Sequence, residues 1–197
     1  MPLAGLTAYR ALISRGEFKP NNKILVTGIG GGAALFALSF AIALVAEVFV
    51  TSGAKSKIFK AIELGAKGGV NYKENNWSEE LVKIANGFDL IIDSAAGKDF
   101  VKLTELANPG AIITLFGRTA GSITDLNPKT IFWKQLSING TTLGNEHEFR
   151  KMIELVSSRN IKPVIDSVYS AKNINLAFEK MDRGEQFGKM VINMEEL

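Results

Sequence analysis

The segment Lys23-Ile-Leu-Val-Thr-Gly-Ile-Gly-Gly-Gly-Ala-Ala-Leu-Phe-Ala-Leu38 carries the strongest structural signal in this 197-residue chain. It begins with a short apolar run, continues with four glycines between residues 28 and 32, and ends in an apolar helical pattern. This order predicts a strand, a tight turn and a helix. Glycine lets the backbone approach a pyrophosphate closely, and the unpaired N–H groups at the start of the helix attract negative charge. The segment therefore predicts a phosphate-binding turn in a nucleotide cofactor domain.

Two registers of this turn fit the spacing, and they are Gly28-x-Gly30-x-x-Ala33 and a shifted set of Gly31, Gly32 and Ala34. The sequence alone does not choose between them. Similar turns occur in methyltransferases and as plain strand-to-helix connections, so the residues downstream must discriminate.

The end of the second predicted strand favours NADP over NAD. This strand ends in Thr51-Ser52-Gly53 and carries no carboxylate, whereas an NAD site usually has Asp or Glu there for the ribose hydroxyls. Ser52, Lys55 and Lys57 supply hydrogen-bond donors and positive charge, and Lys60 adds to the positive field. The alternative is that these lysines form a solvated helix face. The missing carboxylate also argues against a methyltransferase.

Composition indicates one globular unit that binds small molecules. Hydrophobic residues make up 46% of the chain and charged residues 22%, which argues against disorder. The net charge of +3 does not indicate a nucleic-acid partner. The chain has no cysteine, which excludes disulfides and thiolate metal sites and fits a cytoplasmic enzyme.

The apolar run from Ala33 to Phe49 contains one charge, Glu47, yet it does not predict a membrane span. It divides into a helix of about 14 residues and a strand, which is shorter than the roughly 20 helical residues that a bilayer requires. Burial between a sheet and another surface explains such a helix better. No signal peptide is recognised at the start of the chain.

Helix and strand patterns alternate along the chain, which predicts an α/β fold with a doubly wound parallel (Rossmann) sheet. Strands are predicted at 23–27, 48–51, 69–72, 88–93, 111–116 and 136–142, and helices at 3–14, 33–46, 55–64, 77–85 and 98–106. Ligands of such folds bind beyond the carboxyl ends of the strands. The residues expected there are Gly28, Gly30, Ser52, Ser94 and Gly117.

The pattern changes near residue 145, so we expect a dinucleotide-binding unit at 1–145 and a C-terminal segment at 146–197. That segment has predicted helices at 146–158 and 174–182 and predicted strands at 164–169 and 189–193. The two strands either extend the main sheet or belong to a second domain. A separate prediction is a homodimer, in which the edge strand 136–142 pairs with its copy across a two-fold axis.

Ordered motifs along the chain resemble the cofactor half of the medium-chain dehydrogenase/reductase superfamily, in its zinc-type alcohol dehydrogenase-like and quinone oxidoreductase branch. They are Ala4-Gly-Leu-Thr-Ala-Tyr-Arg10, Val26-Thr-Gly-Ile-Gly-Gly-Gly32, Glu63-Leu-Gly-Ala66, Val70-Asn-Tyr72, Asp93-Ser-Ala-Ala-Gly97, Gly110 to Gly117 and Phe187-Gly-Lys-Met-Val-Ile192. The resemblance implies NADPH-dependent reduction of a quinone or an α,β-unsaturated carbonyl. The C-terminal segment of such proteins normally returns to a catalytic domain.

The same resemblance implies a set of cofactor contacts. It puts Thr7, Phe116, Gly117 and Leu143 near the nicotinamide. It puts Gly31, Gly32 and Ala33 on the pyrophosphate, Ser52, Lys57 and Tyr72 around the ribose phosphate, and Lys189 at the cleft edge. No residue of this chain is assigned a catalytic or metal-binding role.

Two departures from the family bear on function. The family's N-terminal catalytic domain has no counterpart in this sequence, so we expect a fragment that binds cofactor without efficient turnover. A free-standing nucleotide-binding regulatory module is the alternative. The second departure is Val45, which stands where the family commonly has glycine, so the helix exit is expected to differ locally.

Several other residues have competing interpretations. Asp93 is expected to cap the turn after its strand rather than to act as an acid or base. His147 with Glu146 and Glu148 is expected to form an exposed triplet rather than a metal site, and Tyr9 is expected to pack. Arg118 either reaches a phosphate or lies in solvent. Phe132 and Trp133 are expected to fill the core rather than stack on a nucleobase.

Overall fold

The computed structural model describes residues 1–195 and contains a six-stranded sheet in the order β3-β2-β1-β4-β5-β6. Every neighbouring pair of strands is parallel. The strands are β1 (Lys23–Val26), β2 (Glu47–Ser52), β3 (Gly68–Asn71), β4 (Phe88–Asp93), β5 (Ala107–Leu115) and β6 (Ser137–Gly140). This is the predicted doubly wound sheet. The strand order reverses beside β1, and ligands of such sheets bind at that reversal.

Helices connect the strands and cover both faces of the sheet. They are α1 (Pro2–Tyr9), α2 (Gly32–Ala43), α3 (Lys55–Glu63), α4 (Trp77–Ala85), α5 (Phe100–Leu106), α6 (Pro128–Lys134), α7 (Glu146–Ser158) and α8 (Ile174–Asp182). A π-helical turn, Arg10–Ser14, continues α1, and a 3₁₀ turn, Ala171–Asn173, precedes α8.

Side chains alternate between two cores along each central strand. In β1, Ile24 and Val26 belong to the core on the α1 and α2 side, whereas Leu25 belongs to the core on the α4 and α5 side. Such alternation is the period-two geometry of a strand that is buried on both faces. The apolar helix α2 lies within the first core, with Phe40 fully buried. In the part of the chain that the structure describes, no helix is long and apolar enough to cross a bilayer.

The last two strands form a sheet of their own. Strands β7 (Ile165–Ser170) and β8 (Lys189–Asn193) pair with each other in parallel and do not join the main sheet. The alternative in which they extend the main sheet is therefore wrong. The division at residue 145 into two units stays a prediction.

Helix α6 was not expected from the sequence, and it overturns the placement of two aromatic side chains. Asn127 caps this helix, because its side chain accepts a hydrogen bond from the Lys129 N–H at 3.0 Å. Ile131 packs against the second core, whereas Phe132 and Trp133 are 65% and 77% exposed. The expectation that these two aromatics fill the core was wrong. A helix of two turns presents one narrow face to the sheet, and they lie outside that face.

Val45 occupies the left-handed position after α2 despite its branched side chain. Its φ is +66°, and its N–H donates to the Ile42 carbonyl at 2.9 Å. The helix exit is therefore a left-handed turn although its residue is not glycine. The side chain is exposed, so it gains little packing in return for a backbone conformation that favours glycine.

Candidate functional site

The glycine turn between β1 and α2 has the conformation that a phosphate site needs. Gly28 and Gly30 have φ of +65° and +121°, so the backbone itself requires glycine at these two positions of the first register. Gly31 is the N-cap residue of α2 and the helix begins at Gly32. Among the described residues, no acceptor takes the backbone N–H groups of Gly32 and Ala33. These donors face outward at the positive end of the helix dipole.

Buried hydroxyl groups at the strand ends hold this turn in place. The Thr51 hydroxyl accepts from the Gly28 N–H at 3.3 Å, and the Thr51 carbonyl accepts from the Ile29 N–H at 2.8 Å. The Ser52 hydroxyl donates to the Ile29 carbonyl at 3.2 Å. The residue predicted to meet the ribose phosphate, Ser52, thus also supports the glycine turn from below.

Asp93 closes this network at the end of β4. Its carboxylate accepts from the Thr27 hydroxyl at 2.6 Å and from the Ala96 N–H at 2.7 Å, so the predicted capping role is confirmed. Burial raises the pKa of Asp93, and the hydrogen bonds from Thr27 and the following backbone amides oppose that rise. With its oxygens engaged in the floor of the site, Asp93 is a structural acceptor.

A cleft of about 860 Å³ opens above the carboxyl ends of β1, β2 and β4. Its volume is in the range of small-molecule and cofactor sites. Seven of the residues predicted from the sequence line it, and they are Gly28, Gly30, Gly31, Ser52, Lys57, Tyr72 and Ser94. The structure therefore brings together the predicted phosphate and ribose ends of the site.

Positive charge concentrates at one side of this cleft. Gly53 leaves room for two side chains, since a Cβ there would lie 2.8 Å from the Tyr72 hydroxyl and 2.9 Å from Lys73 Cε. Lys57 and Lys73 line the cleft, and among residues 1–195 neither forms an ion pair with a carboxylate. The pKa of Lys57 is lowered by burial and by repulsion from Lys60 and Lys73, although Asp166 opposes this. An anion in the cleft would relieve that repulsion.

A C-terminal strap, residues 183–188 between α8 and β8, lies across the glycine turn. The Gly188 N–H donates to the Gly30 carbonyl at 3.0 Å, and Lys57 Nζ donates to the Gly184 carbonyl at 2.5 Å. After the strap, Lys189 reaches the start of α2, where a Cβ on Gly32 would lie 2.6 Å from Lys189 Nζ. Lys57 and Lys189 therefore flank the turn on either side.

The residues predicted near a nicotinamide do not line the cleft, and they are Thr7, Phe116, Gly117 and Leu143. The Thr7 hydroxyl donates to the Leu3 carbonyl at 2.9 Å within α1. Gly117 follows β5 and lies so close to the Ser94 carbonyl that a Cβ would clash. Leu143, in the loop after β6, is half-exposed. Of the remaining predicted contacts, Gly32, Ala33 and Lys189 border the turn without lining the cleft.

Sequence reasoning missed several lining residues. Lys73 adjoins Tyr72 in the sequence and could have been found by its position after β3. Arg183 and Gln186 come from the strap, and no local pattern connects them with the glycine turn. Arg183 pairs at 2.9 Å with Glu185, which also lines the cleft. Arg118, one of the open candidates, lies exposed outside the cleft lining.

The described residues do not fit a metal site. No group of three or more His, Asp or Glu side chains that could hold an ion exists among residues 1–195, and the chain has no cysteine. His147 is exposed, but Glu148 is buried, so the expected triplet is only partly solvent-exposed. Glu148 forms a capping box with Asn145 and contacts Arg10 at 3.5 Å. Tyr9 packs edge-on against Phe40, as expected.

Comparison with known proteins identifies the family. The model of the family "Zinc-binding dehydrogenase" matches residues 32–158. The zinc-type alcohol dehydrogenase-like protein YogA of Leptosphaeria maculans is 38% identical over 98% of this chain and 57% of its own length. A quinone oxidoreductase of Homo sapiens is 31% identical over 94% of this chain and 59% of its own length.

Solved structures agree with the fold. The crystal structure of an NAD-dependent alcohol dehydrogenase superposes with a TM-score of 0.90 at 26% identity, and it covers 98% of this chain and 57% of the other. The chain thus spans somewhat more than half the length of the relatives it matches. On its motifs, its sheet order and these matches, the chain belongs to the zinc-binding dehydrogenases of the medium-chain dehydrogenase/reductase superfamily.

Proposed function

We propose that this chain is the NADPH-binding portion of an oxidoreductase that transfers hydride to a quinone or an α,β-unsaturated carbonyl. The observation that carries the cofactor choice is the cationic side of the cleft. The Tyr72 hydroxyl and Lys73 lie beside Gly53, Lys57 lies beside Gly30 in the same cleft, and residues 51–57 contain no carboxylate. A 2′-phosphate requires such donors and positive charge, whereas the ribose of NAD is usually bound by an acidic residue at this point.

The glycine turn supports binding of the diphosphate. The free N–H groups of Gly32 and Ala33 point away from α2, and Lys189 lies directly above them. A cation at the positive end of a helix is electrostatically unfavourable by itself, and an anion between the two removes the conflict. Gly30 and Gly31 leave the space that the phosphate groups need.

Arg183 is a further proposed phosphate ligand that the sequence did not reveal. It lines the cleft together with Lys57, and its guanidinium forms one exposed pair with Glu185. An arginine can bind a phosphate through two parallel hydrogen bonds, which a single lysine cannot do.

The nicotinamide end would lie at the carboxyl ends of β4 and β5, near Ser94, Phe116 and Gly117. When bound, the cofactor supplies the hydride, and the protein orients it and excludes water. The contacts of Thr7 and Leu143 belong to the same proposal. The relative from Homo sapiens named quinone oxidoreductase supports the substrate class.

A homodimer through β6 is part of the proposal. β6 is an edge strand of the main sheet, and the exposed aromatics Phe132 and Trp133 lie on the preceding helix α6. An edge strand beside exposed aromatic side chains favours association with a second copy.

Binding measurements on matched charge reversals test the cofactor assignment. Calorimetry would compare NADPH and NADH on the wild type, on Lys57→Glu and on Lys55→Glu. Lys55 lies on the same helix as Lys57 but is exposed, pairs with Glu74 at 3.0 Å and does not line the cleft. We expect Lys57→Glu to weaken NADPH by about 30-fold or more relative to NADH, which is about 2 kcal/mol.

The Lys55→Glu control should change the ratio of the two affinities by less than about threefold. Because Lys57 also contacts the strap, a loss common to both nucleotides is expected, and only the ratio reports the 2′-phosphate. Equal losses for NADPH and NADH would refute the NADP assignment. A wild type that binds neither nucleotide would refute the proposed function itself.

A further inference from the structure

A β-bulge in the small C-terminal sheet turns one carboxylate toward the strap. Ile165 pairs with Lys189 and Ser167 pairs with Met190, so β7 advances two residues while β8 advances one. Asp166 is the extra residue. Bulges of this kind redirect a side chain and recur next to functional sites.

The Asp166 carboxylate holds the strap at two points. Its Oδ1 accepts from the backbone N–H of Phe187 at 2.8 Å, inside the strap. Its Oδ2 accepts from Lys180 Nζ at 2.6 Å, on the last turn of α8, and from the Ser167 hydroxyl at 2.7 Å. The carboxylate is 92% buried. The two oxygens therefore connect β7 with the last turn of α8, through Lys180, and with the strap, through Phe187.

The position of the strap in turn determines several contacts of the glycine turn. Phe187 is buried in the first core with Lys60 Nζ 5.5 Å from its ring centre. The next residue, Gly188, contacts the Gly30 carbonyl, and it packs so closely on the Val164 carbonyl that a Cβ would clash. Lys189 then donates its N–H to the Val164 carbonyl at 2.8 Å. Because Phe187 directly precedes them in the chain, we expect a displacement of Phe187 to alter the positions of Gly188 and Lys189.

We infer that Asp166 is a positioning residue for the dinucleotide site: it anchors the strap so that the Gly184 carbonyl holds Lys57 and Lys189 stands over the start of α2. This inference rests on the proposed function, because it assigns a residue to the arrangement that would receive the phosphates. Asp166 itself does not line the cleft, and it acts on Lys57 through its electrostatic field and not through a hydrogen bond or ion pair.

The Asp166 carboxylate stays negatively charged at neutral pH, so its contacts with the strap persist. Burial raises the pKa of Asp166, but the hydrogen bonds from Lys180, Phe187 and Ser167 outweigh it and lower that pKa to about 2. The partner Lys180 has a raised pKa because of its hydrogen bond to Asp166. Lys180 offsets part of the negative charge of Asp166, and the remaining field of the carboxylate favours the charged form of Lys57.

A graded series of substitutions tests the inference. Asp166→Ala removes both connections, Asp166→Asn keeps an acceptor for the Phe187 N–H, and Lys180→Met removes only the ion pair. Glu80→Ala is the control, because it breaks a carboxylate–lysine contact of 2.7 Å with Lys83 on the solvent-facing side of α4. Calorimetry gives the dissociation constant for NADPH, and hydrogen exchange followed by NMR reports the Gly188 amide.

We expect the NADPH dissociation constant to rise about 10- to 30-fold for Asp166→Ala, less for Asp166→Asn and least for Lys180→Met. Exchange at the Gly188 amide should quicken in the same order, while amides of β1 and β4 keep their wild-type rates. The control should match the wild type in both measurements. NADPH affinities are compared only under conditions in which the exchange rates of core amides show that the variant is folded. If Asp166 contributed to global stability alone, the affinities measured under these conditions would equal that of the wild type.

Several outcomes would overturn the inference. One is a folded Asp166→Ala protein with wild-type affinity and wild-type exchange at Gly188. Another is a Lys180→Met protein as impaired as Asp166→Ala, which would assign the effect to the ion pair instead. If Asp166→Ala does not fold, the inference is tested by the other two variants: a Lys180→Met protein that loses as much NADPH affinity as Asp166→Asn, or more, would overturn it. A wild type that binds no NADPH defeats the proposed function, while the exchange of Gly188 still tests the anchor.

Discussion

The substitution Gly32→Ala should raise the stability of the protein and weaken its binding of NADPH. Gly32 is the first residue of α2 and has no left-handed φ, so alanine is compatible with its backbone. The added Cβ would lie 2.5 Å from Lys189 Cε and 2.6 Å from Lys189 Nζ. These atoms are the far end of a flexible side chain, which can move aside at small cost.

The two effects have different physical origins and sizes. Alanine has the higher helix propensity and restricts the unfolded chain, so the free energy of unfolding should rise by about 0.5 kcal/mol. The methyl group occupies the space beside the free amides of α2 and displaces the Lys189 ammonium. Loss of one charge-assisted hydrogen bond to a phosphate costs about 1.5 to 3 kcal/mol, so NADPH should bind about 10- to 150-fold more weakly.

Urea unfolding measures the first effect and calorimetric titration with NADPH measures the second. Gly140→Ala is the matched control, since a Cβ there meets no atom within 4 Å and Gly140 lies outside the cleft. It should leave NADPH affinity within about twofold of the wild type. The reasoning would be refuted by a Gly32→Ala protein that binds NADPH as tightly as the wild type. A large loss of stability would equally refute it, because Lys189 would then not be free to move.

The remaining predictions concern stability and assembly. Val45→Gly should raise the free energy of unfolding in urea by about 1 kcal/mol, because it relieves a left-handed β-branched residue that is exposed; an unchanged midpoint would contradict this. Lys134→Met should lower it by about 1 to 2 kcal/mol, because Lys134 Nζ donates to three carbonyls at the end of α5 and the start of β5, at 2.6 to 3.2 Å. The lowered pKa of Asp166, about 2, means that its stabilising effect is present above its ordinary value near 4 and is lost as pH falls toward 2. Asp166→Asn should therefore lose less stability between pH 6 and pH 3 than the wild type does, as followed by urea midpoints. Because Trp133 is an exposed aromatic residue at the proposed interface, Trp133→Glu should lower the molar mass measured by light scattering from that of a dimer to that of a monomer. A wild-type protein that is monomeric at high concentration would refute the proposed dimer.

Most of the main sheet could be predicted from local sequence. The strand Phe88–Asp93 and the helix Trp77–Ala85 have the predicted bounds, because apolar periodicity and turn residues mark them clearly. Helix α6 was missed, since its seven residues are too few to establish a period. Its N-terminal signal, Asn127 followed by Pro128, was present but not used.

The candidate site was predictable only in part, and the reason lies in the separation of its residues along the chain. Gly30, Ser52 and Tyr72 each follow a strand, and a parallel sheet places its strand ends together. Arg183 follows a helix outside that sheet, so strand order says nothing about it. The bulge that turns Asp166 toward the strap likewise has no signature in sequence.

The amino-acid sequence by itself determined the doubly wound sheet, the glycine turn at the start of α2 and the absence of a carboxylate after β2. These features depend on residues close together in the chain, whose period, backbone freedom and charge act locally. Tertiary structure determined that the strap crosses Gly30, that Lys57 and Lys189 flank the turn, and that the last two strands form their own sheet. The contacts of the strap and of Lys189 with Gly30, Lys57 and Gly32 join residues more than 100 positions apart, and they exist only once the packed cores have set the distances between elements.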